Sequence, residues 1–249
     1  KLSLDMMYKT AGIQINYDYT SEEDFEKKFK IGNYLAPLTI ALFANSPFYE
    51  NKLSGFLSYR GKVWQETNRG GIMPITFENV NFEKYIDHAI NYPILFLKKN
   101  GKYYSPNGQT FRDFFNVNLS FLKGEKQTLE DFENHLGTIF TEIRLKQVIE
   151  FRSLDTCNFG CICNGPSFFT GLIYGSLDET YEIIKNWKKE EVMEAYLNAP
   201  KQGLNTVLKN KKLIDWAKIF LDLSQKGLDK RNELNKSGKN ETIYLKHIK

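Results

Sequence analysis

The sequence contains no run of about 18 apolar residues, the length that a membrane-spanning helix requires. Its first residues, KLSLDMMYKTAG, show neither the basic start nor the apolar stretch of a signal peptide, so we expect a cytoplasmic protein without a membrane partner. The charge balance is slight as well, because 34 Lys and Arg stand against 30 Asp and Glu, a net charge of +4. So small an excess does not indicate binding to nucleic acid.

Cysteine is scarce, and all three residues fall within the segment CNFGCIC, namely Cys157, Cys161 and Cys163. A structural zinc site needs four ligands, and no further Cys or His follows at a usable spacing. The spacing C-x3-C-x-C also matches no common redox motif. We therefore expect three reduced thiols with no metal bound to them.

Several catalytic signatures are missing from the sequence. It has no glycine-rich phosphate loop, no G-x-S-x-G and no H-E-x-x-H. The three histidines, His88, His135 and His247, lack the spacing of metal ligands. His135 falls in a short amphipathic segment, where we expect it to pack or to cap a helix.

The pattern of apolar residues predicts both strands and helices. Alternation in AGIQINYDY predicts a strand over residues 11–19, and Thr20 or Ser21 is placed to cap the helix that follows. Pro37 indicates a kink or a second helix start, and residues 45–74 have the composition of a long irregular loop. The remaining predictions are helices at 81–91, 110–116 and 128–140, a hairpin turning at Asn100-Gly101, a strand at 148–154, and mostly helix from Pro166 onward. We expect one α+β domain over residues 1–249, with a helical C-terminal third.

The two main predicted strands each have a polar face and an apolar face. If they pair in one antiparallel sheet, four polar side chains share a surface: Gln14, Asn16, Glu150 and Arg152. A carboxylate offers oxygen ligands to magnesium, and arginine binds a carboxylate or phosphate with two donors. The other interpretation, which the pattern alone favours, is a solvated sheet face with a cross-strand ion pair.

Six stretches, taken together and in this order, resemble the glutamate–cysteine ligases of the proteobacterial and plant branch. They are DMMYKTAGIQINYDYTSEEDF, ALFANSPF, GFLSYRGKVW, FRDFF, LEDFENHLGTIFTEIRLKQVIEFRSLD and PSFFTGLIYG. The resemblance covers about residues 4–235. It implies a glutamine-synthetase-like fold, in which a curved, mostly antiparallel sheet has helices on one side.

The resemblance also implies a reaction. ATP would phosphorylate the γ-carboxylate of glutamate, and the amine of cysteine would attack the acyl phosphate, with Mg²⁺ as cofactor. This reaction is the first step of glutathione biosynthesis, and its substrates are the small molecules glutamate, cysteine and ATP. Two alternatives stay open: a related ligase that joins glutamate to another amine, and a non-catalytic binding or regulatory fragment of such an enzyme.

Site residues follow from the resemblance position by position. Glu150 matches an acid that holds magnesium, and Gln14 lies where relatives place a Gln or His on the metal side of the sheet. Arg152 matches an arginine that faces the phosphates. Arg60 matches an arginine that grips the substrate carboxylate, and Trp64 shapes the same segment.

Four further residues are expected to bind substrate on the same basis. Asn16 lines the polar face of the sheet, and Arg144 is a further candidate to face an anion. Asn45 and Ser46, of the stretch ALFANSPF, are expected to line the substrate pocket.

The chain departs from the family pattern in two respects. Relatives carry an upstream region with further acidic magnesium ligands, so we expect this chain to lack an upstream segment and to hold half a metal site. Plant relatives use a disulfide whose downstream half aligns near Cys163, but the other half aligns near Phe121, where no cysteine occurs. We therefore expect that this redox switch is absent, and the oligomeric state is left open.

Overall fold

The protein is represented by a computed structural model, which describes residues 2–116 and 126–248. Within these ranges no helix combines the length and the apolar character that crossing a membrane demands. The α-helices are α1 (Ser3–Lys9), α2 (Glu22–Tyr34), α3 (Ala36–Leu42), α4 (Tyr59–Gln65), α5 (Phe82–Ile90), α6 (Phe111–Asn116), α7 (Leu129–Gly137), α8 (Asn164–Thr170), α9 (Leu177–Ile184), α10 (Lys189–Gln202) and α11 (Leu213–Arg231). A π-helical turn, Gly171–Gly175, joins α8 to α9.

The strands form one three-stranded sheet and several two-stranded ones. They are β1 (Gly12–Tyr17), β2 (Phe48–Tyr49), β3 (Lys52–Leu53), β4 (Gly70–Gly71), β5 (Leu97–Lys99), β6 (Lys102–Tyr104), β7 (Phe140–Thr141), β8 (Ile143–Leu145), β9 (Ile149–Asp155), β10 (Val207–Leu208) and β11 (Lys211–Lys212). The central sheet has the order β1-β9-β8, and both of its pairings are antiparallel. The small pairs β2-β3, β5-β6 and β10-β11 are antiparallel, whereas β4-β7 is parallel.

The pairing of β1 with β9 contains a bulge. The register joins Ile15 to Phe151 but Ile13 to Leu154. Two residues of β9 therefore lie opposite one residue of β1, which is the definition of a β-bulge. Arg152 is one of those two residues, so the bulge lies at one of the arginines on the polar face of the sheet.

The hydrophobic core lies between the apolar face of the central sheet and the helices. Phe25 and Phe29 of α2 are fully buried there with Phe151 of β9. The approach is close: a Cβ on Gly32 of α2 would lie 2.4 Å from the side chain of Ile143. The same core continues into α8, α10 and α11, so the predicted helical C-terminal third is confirmed.

Local signals in the sequence predicted several boundaries correctly. Ser21 caps α2, Pro37 lies in the first turn of α3, and Thr128 caps α7 with a reciprocal capping box. The hairpin β5-β6 turns at Asn100 and Gly101, which both have positive φ.

Two predictions about local structure are wrong. Residues 45–74 are not one irregular loop, because they contain β2, β3, β4 and the helix α4, which carries Arg60. The three cysteines are not all reduced: Cys157 and Cys161 form a disulfide, and only Cys163 is free. The turn that follows β9 brings the Cα atoms of Cys157 and Cys161 within 6.1 Å of each other, within the range that a disulfide bridges.

The fold is α+β with small, mostly antiparallel sheets, as predicted in outline. The expected curved sheet of a glutamine-synthetase-like fold is not confirmed, since the largest sheet in the described residues has three strands. His135 packs as expected: it is 1% exposed, and its Nε2 lies 2.7 Å from the carbonyl oxygen of Ala89.

Candidate functional site

The central sheet carries charges of alternating sign on its polar face. Arg144 of β8 lies directly opposite Glu150 of β9. Glu142 comes just before β8, and its carbonyl accepts a hydrogen bond from the backbone N–H of Arg152 at 2.9 Å. Since residues two apart on a strand share a face, each acid has a cationic neighbour along its own strand and another across the sheet.

Glu150 lies among three cations. Its carboxylate accepts hydrogen bonds from Arg144 Nε at 2.5 Å and Arg152 Nη1 at 3.3 Å, and Lys146 Nζ is 3.3 Å away. Glu150 is only 8% exposed, so this part of the face is not the solvated surface that the pattern favoured. Burial by itself raises the pKa of Glu150, but the contact with Arg144 and the charges of Lys146 and Arg152 outweigh it and hold that pKa below its ordinary value.

The guanidinium groups of Arg60 and Arg152 converge on the ring of Trp64. Their central carbons lie 4.9 Å and 5.2 Å from the ring centroid, within the range of cation–π attraction. Arg60 also donates to the carbonyl oxygen of Arg152, and Arg152 Nη1 donates to Gln14 Oε1 at 2.6 Å. Burial lowers the pKa of Arg60. Burial together with the charge of Arg144 lowers the pKa of Arg152 to about 10, so Arg152 remains charged at neutral pH.

A cavity of about 300 Å³ opens beside these two groups, and we call it the guanidinium pocket. Its lining residues are Met6, Met7, Thr10, Gly12, Gln14, Arg60, Trp64, Phe140 and Arg152. Nη1 of Arg60 and Nε of Arg152 are buried and have no hydrogen-bond partner among the described residues. Buried donors without an acceptor are costly, so the pocket suits a carboxylate or phosphate that accepts from both groups.

The position of Arg60 is fixed by its neighbours on two strands and a loop. Gly12 of β1 passes so close that a Cβ there would lie 2.5 Å from Arg60 Nε. Asp155, at the end of β9, accepts hydrogen bonds from Ser58 Oγ at 2.8 Å and Ser46 Oγ at 2.7 Å. Ser58 caps α4, so the carboxylate of Asp155 ties β9 to the start of the helix that carries Arg60.

Most of the residues predicted for the site lie together. The guanidinium pocket and the cluster beside it contain Gln14, Arg60, Trp64, Arg144, Glu150 and Arg152. Asn16 lies opposite Glu150 on β1 and is exposed. Asn45 and Ser46 do not line the pocket: both bind Asp155, and Asn45 borders a separate cavity of about 330 Å³ beside the disulfide.

Two further residues of this cluster, Glu142 and Tyr196, were not predicted from the sequence. Tyr196 on α10 donates a hydrogen bond from its hydroxyl to Glu142 Oε1 at 2.5 Å, and both residues are at most 2% exposed. Burial raises the pKa of Glu142 above its ordinary value, although Arg60, the Tyr196 hydroxyl and Arg152 act in the opposite direction. A signal for Glu142 existed, because the pattern Glu-x-Arg occurs twice, at 142–144 and at 150–152.

A larger cavity, of about 720 Å³, lies beyond Glu150, and we call it the aromatic cavity. Its lining is mostly apolar and includes Tyr19, Phe82, Tyr85, Ile86, Leu129, Phe132, Leu136, Leu145 and Val148, together with the polar residues Glu133, Asn134, Lys146, Gln147 and Glu150. Glu150 borders this cavity and Arg152 borders the guanidinium pocket, and the two residues are joined by a hydrogen bond. The two cavities therefore lie on either side of one charged pair.

The residues expected to hold magnesium do not form a metal site by themselves. Glu150 accepts from guanidinium groups, and Gln14 Oε1 accepts from Arg152. In the ranges that the structure describes, no group of three His, Cys, Asp or Glu side chains is placed to hold a metal ion. Magnesium binding by Glu150 and Gln14 stays a prediction.

The structure is that of an α+β protein with two buried arginines beside a small cavity. A sequence profile of glutamate–cysteine ligase family 2 matches residues 1–249, and the chain belongs to that family. It is 39% identical to the glutamate–cysteine ligase, chloroplastic, of Solanum lycopersicum, over 99% of this chain and 47% of the relative. It is 40% identical to glutamate–cysteine ligase B, chloroplastic, of Oryza sativa subsp. japonica, over 99% of this chain and 50% of the relative.

Two points follow from these matches. The chain spans about half the length of the curated relatives that it matches. The expectation of a cytoplasmic protein is wrong by the same comparison, because these relatives are named chloroplastic. The enzyme of Arabidopsis thaliana, 39% identical over 92% of this chain and 45% of the relative, carries the same designation.

Proposed function

We propose that this chain supplies part of the active site of a glutamate–cysteine ligase. The reaction is the ATP-dependent joining of the γ-carboxyl group of glutamate to the amine of cysteine, the first step of glutathione biosynthesis. The observation that carries the proposal is the guanidinium pocket, where two buried arginines present unpartnered N–H donors beside a cavity. Membership of the ligase family supports the same reaction.

The proposed reaction has two steps. The γ-carboxylate oxygen of glutamate attacks the γ-phosphorus of ATP, which releases ADP and leaves γ-glutamyl phosphate. The amine of cysteine then attacks the acyl carbon, and the phosphate leaves with the former carboxylate oxygen. Catalysis of phosphoryl transfer depends mainly on positioning and on cations that offset the negative charge of the transferred group.

We assign the guanidinium pocket to glutamate and its transferred phosphoryl group. Arg60 binds a carboxylate, Arg152 offsets charge on the phosphoryl group, and Trp64 holds both guanidinium groups by cation–π contact. Arg144 and Glu150 hold Arg152 in place through their hydrogen-bonded cluster. A volume of about 300 Å³ suits a small amino acid rather than a nucleotide.

We assign the aromatic cavity to the nucleoside of ATP. Its apolar, aromatic lining suits a flat heterocycle, and Lys146 and Glu150 lie at its border with the charged cluster. ATP seated in this way directs its phosphates toward Arg152. Magnesium is proposed as the cofactor of ATP, with ligands that include residues outside this chain.

We also propose that residues 1–249 form one α+β catalytic domain of a glutamine-synthetase-like fold. The support is the antiparallel sheet β1-β9-β8, which has helices packed on its apolar face and charged residues on the other. Strands from the part of the protein outside this chain would enlarge that sheet.

The test is ADP release by the full natural protein that contains this chain, in the presence of ATP, magnesium and glutamate. Cysteine and a series of other amines serve as acceptors. Stimulation by cysteine above the other amines supports the proposal. Stimulation by a different amine would support the related glutamate–amine ligase, and no glutamate-dependent ADP release would leave a binding or regulatory fragment.

A further inference from the structure

A buried anion that the proposed chemistry does not use lies beside the two arginines of the guanidinium pocket, although it is not among the residues that line the cavity. Glu142 is 1% exposed. The antiparallel register that pairs Arg144 with Glu150 also places Glu142 opposite Arg152. Glu142 Oε1 accepts the Tyr196 hydroxyl, whereas its Oε2 is buried without a hydrogen-bond partner among the described residues.

The atoms left unpartnered on both sides are complementary. Oε2 of Glu142 is an acceptor, and Nη1 of Arg60 and Nε of Arg152 are donors. The negative charge of Glu142 favours the charged form of both arginines. It raises the pKa of each, whereas burial lowers it. In the described residues, Glu142 forms no ion pair within 4.0 Å with either Arg60 or Arg152. The carboxylate therefore offsets the two guanidinium charges without pairing directly with either group.

We infer that Glu142 is a resident counter-anion of the guanidinium pocket, which attenuates the affinity of Arg60 and Arg152 for anionic ligands. Glu150 already pairs with Arg152, whereas Arg60 has no ion pair within 4.0 Å in the described residues. Without Glu142, the remaining positive charge would bind a phosphate or carboxylate tightly, and a product phosphate would leave slowly. A fixed carboxylate beside the two arginines repels the incoming anion and offsets part of the positive charge that attracts it. This inference rests on the proposed function, since it assumes that an anion binds in this pocket.

Protonation of Glu142 removes that repulsion, so anion binding is linked to proton uptake. The charged and titratable groups near Glu142 are Arg60 from α4, Arg144 from β8, Arg152 and Asp155 from β9, and Tyr196 from α10. An anion bound by the arginines adds negative charge near Glu142 and favours its protonated form. Anion affinity is therefore expected to fall as pH rises and the carboxyl ionises.

The test is the affinity of inorganic phosphate and of glutamate for the full natural protein, measured by titration calorimetry at pH 8. Glu142→Gln keeps the shape of the side chain and an acceptor for Tyr196 but removes the charge. We expect phosphate to bind at least about tenfold more tightly, equal to about 1.4 kcal/mol, with a weaker dependence on pH. Asp131→Asn, which neutralises another buried acid, on α7, is the matched control and should leave the affinity unchanged.

Each possible result either supports or overturns the inference about Glu142. Unchanged or weaker phosphate binding by a natively folded Glu142→Gln protein would overturn the inference. If that variant does not fold, Tyr196→Phe decides: losing the hydroxyl that supports the carboxylate should tighten phosphate binding and shift its pH dependence upward, and no change would overturn the inference. Phosphate binding that is absent from the wild type, or is unaffected by Arg60→Ala, would instead overturn the assignment of the pocket itself, and the inference with it.

Discussion

At the scale of single residues, substitution of Arg60 tests the proposed glutamate site most directly. Arg60 is 3% exposed, stacks on Trp64 and has one buried N–H group without a partner among the described residues. A charge-assisted hydrogen bond contributes about 1.5–3 kcal/mol, so Arg60→Ala should raise the KM for glutamate roughly 10- to 150-fold. Steady-state kinetics at varied glutamate measure this. Arg112→Ala, which removes an exposed arginine paired with Asp87, is the control and should leave the KM unchanged.

Glu150 should make stability depend on acid pH. Its pKa is held below the ordinary value near 4.5, so its contribution to stability is full at neutral pH and is lost as pH falls through the pKa of the folded protein. Wild type should therefore lose more unfolding free energy between pH 7 and pH 3.5 than Glu150→Gln does. Urea unfolding at both pH values measures the difference, and the exposed Glu194→Gln should behave as wild type. Equal losses in wild type and Glu150→Gln would show that the ion cluster does not stabilise the fold.

At the scale of elements, the close packing of β1 against α4 places Arg60. Gly12→Ala puts a Cβ 2.5 Å from Arg60 Nε and 2.8 Å from the carbonyl oxygen of Leu154. We expect the guanidinium group to be displaced and the affinity for glutamate to fall, while the far-ultraviolet circular dichroism stays native. Gly137→Ala, at the end of α7, has open space around the new methyl group and serves as the matched control. Native glutamate affinity in Gly12→Ala would show that Arg60 does not need this position.

The disulfide in the turn after β9 can be tested by counting free cysteines. Alkylation of the denatured protein should label one cysteine, Cys163, without reductant and three after reduction. The closed loop is short, so reduction should lower the unfolding free energy by only about 2 kcal/mol. Labelling of all three cysteines in protein prepared without reductant would restore the interpretation of free thiols.

Elements with a strong local signal were predictable, and those fixed by distant contacts were not. The alternation that predicted β1 and β9 placed Gln14, Glu150 and Arg152 on one face correctly. The helix α4 is seven residues long and includes Gly61, so its local propensity is weak; Ser58 and the distant Asp155 support its start. The disulfide was missed because its pairing depends on the shape of one turn.

At the scale of the whole molecule, the site combines residues from distant parts of the chain. Tyr196 and Glu142 are 54 positions apart, and Arg60 and Arg152 are 92 positions apart. Neither pairing has a periodic signal in the sequence, so only the fold shows that two arginines share the ring of Trp64 and that an acid lies beside them. The family resemblance named Arg60 and Arg152 individually, but the guanidinium pocket is a property of the assembled structure.

The central claim is that glutamate is phosphorylated on its γ-carboxylate in a site that includes the guanidinium pocket. The most direct measurement supplies the full natural protein with glutamate labelled with ¹⁸O in the γ-carboxylate, together with ATP, magnesium and cysteine, and analyses the released phosphate by mass spectrometry. The account predicts one ¹⁸O atom in each phosphate released in the presence of cysteine, and a greatly reduced yield of labelled phosphate with Arg152→Ala. Phosphate released without ¹⁸O, or labelled phosphate formed equally well by Arg152→Ala, would contradict it.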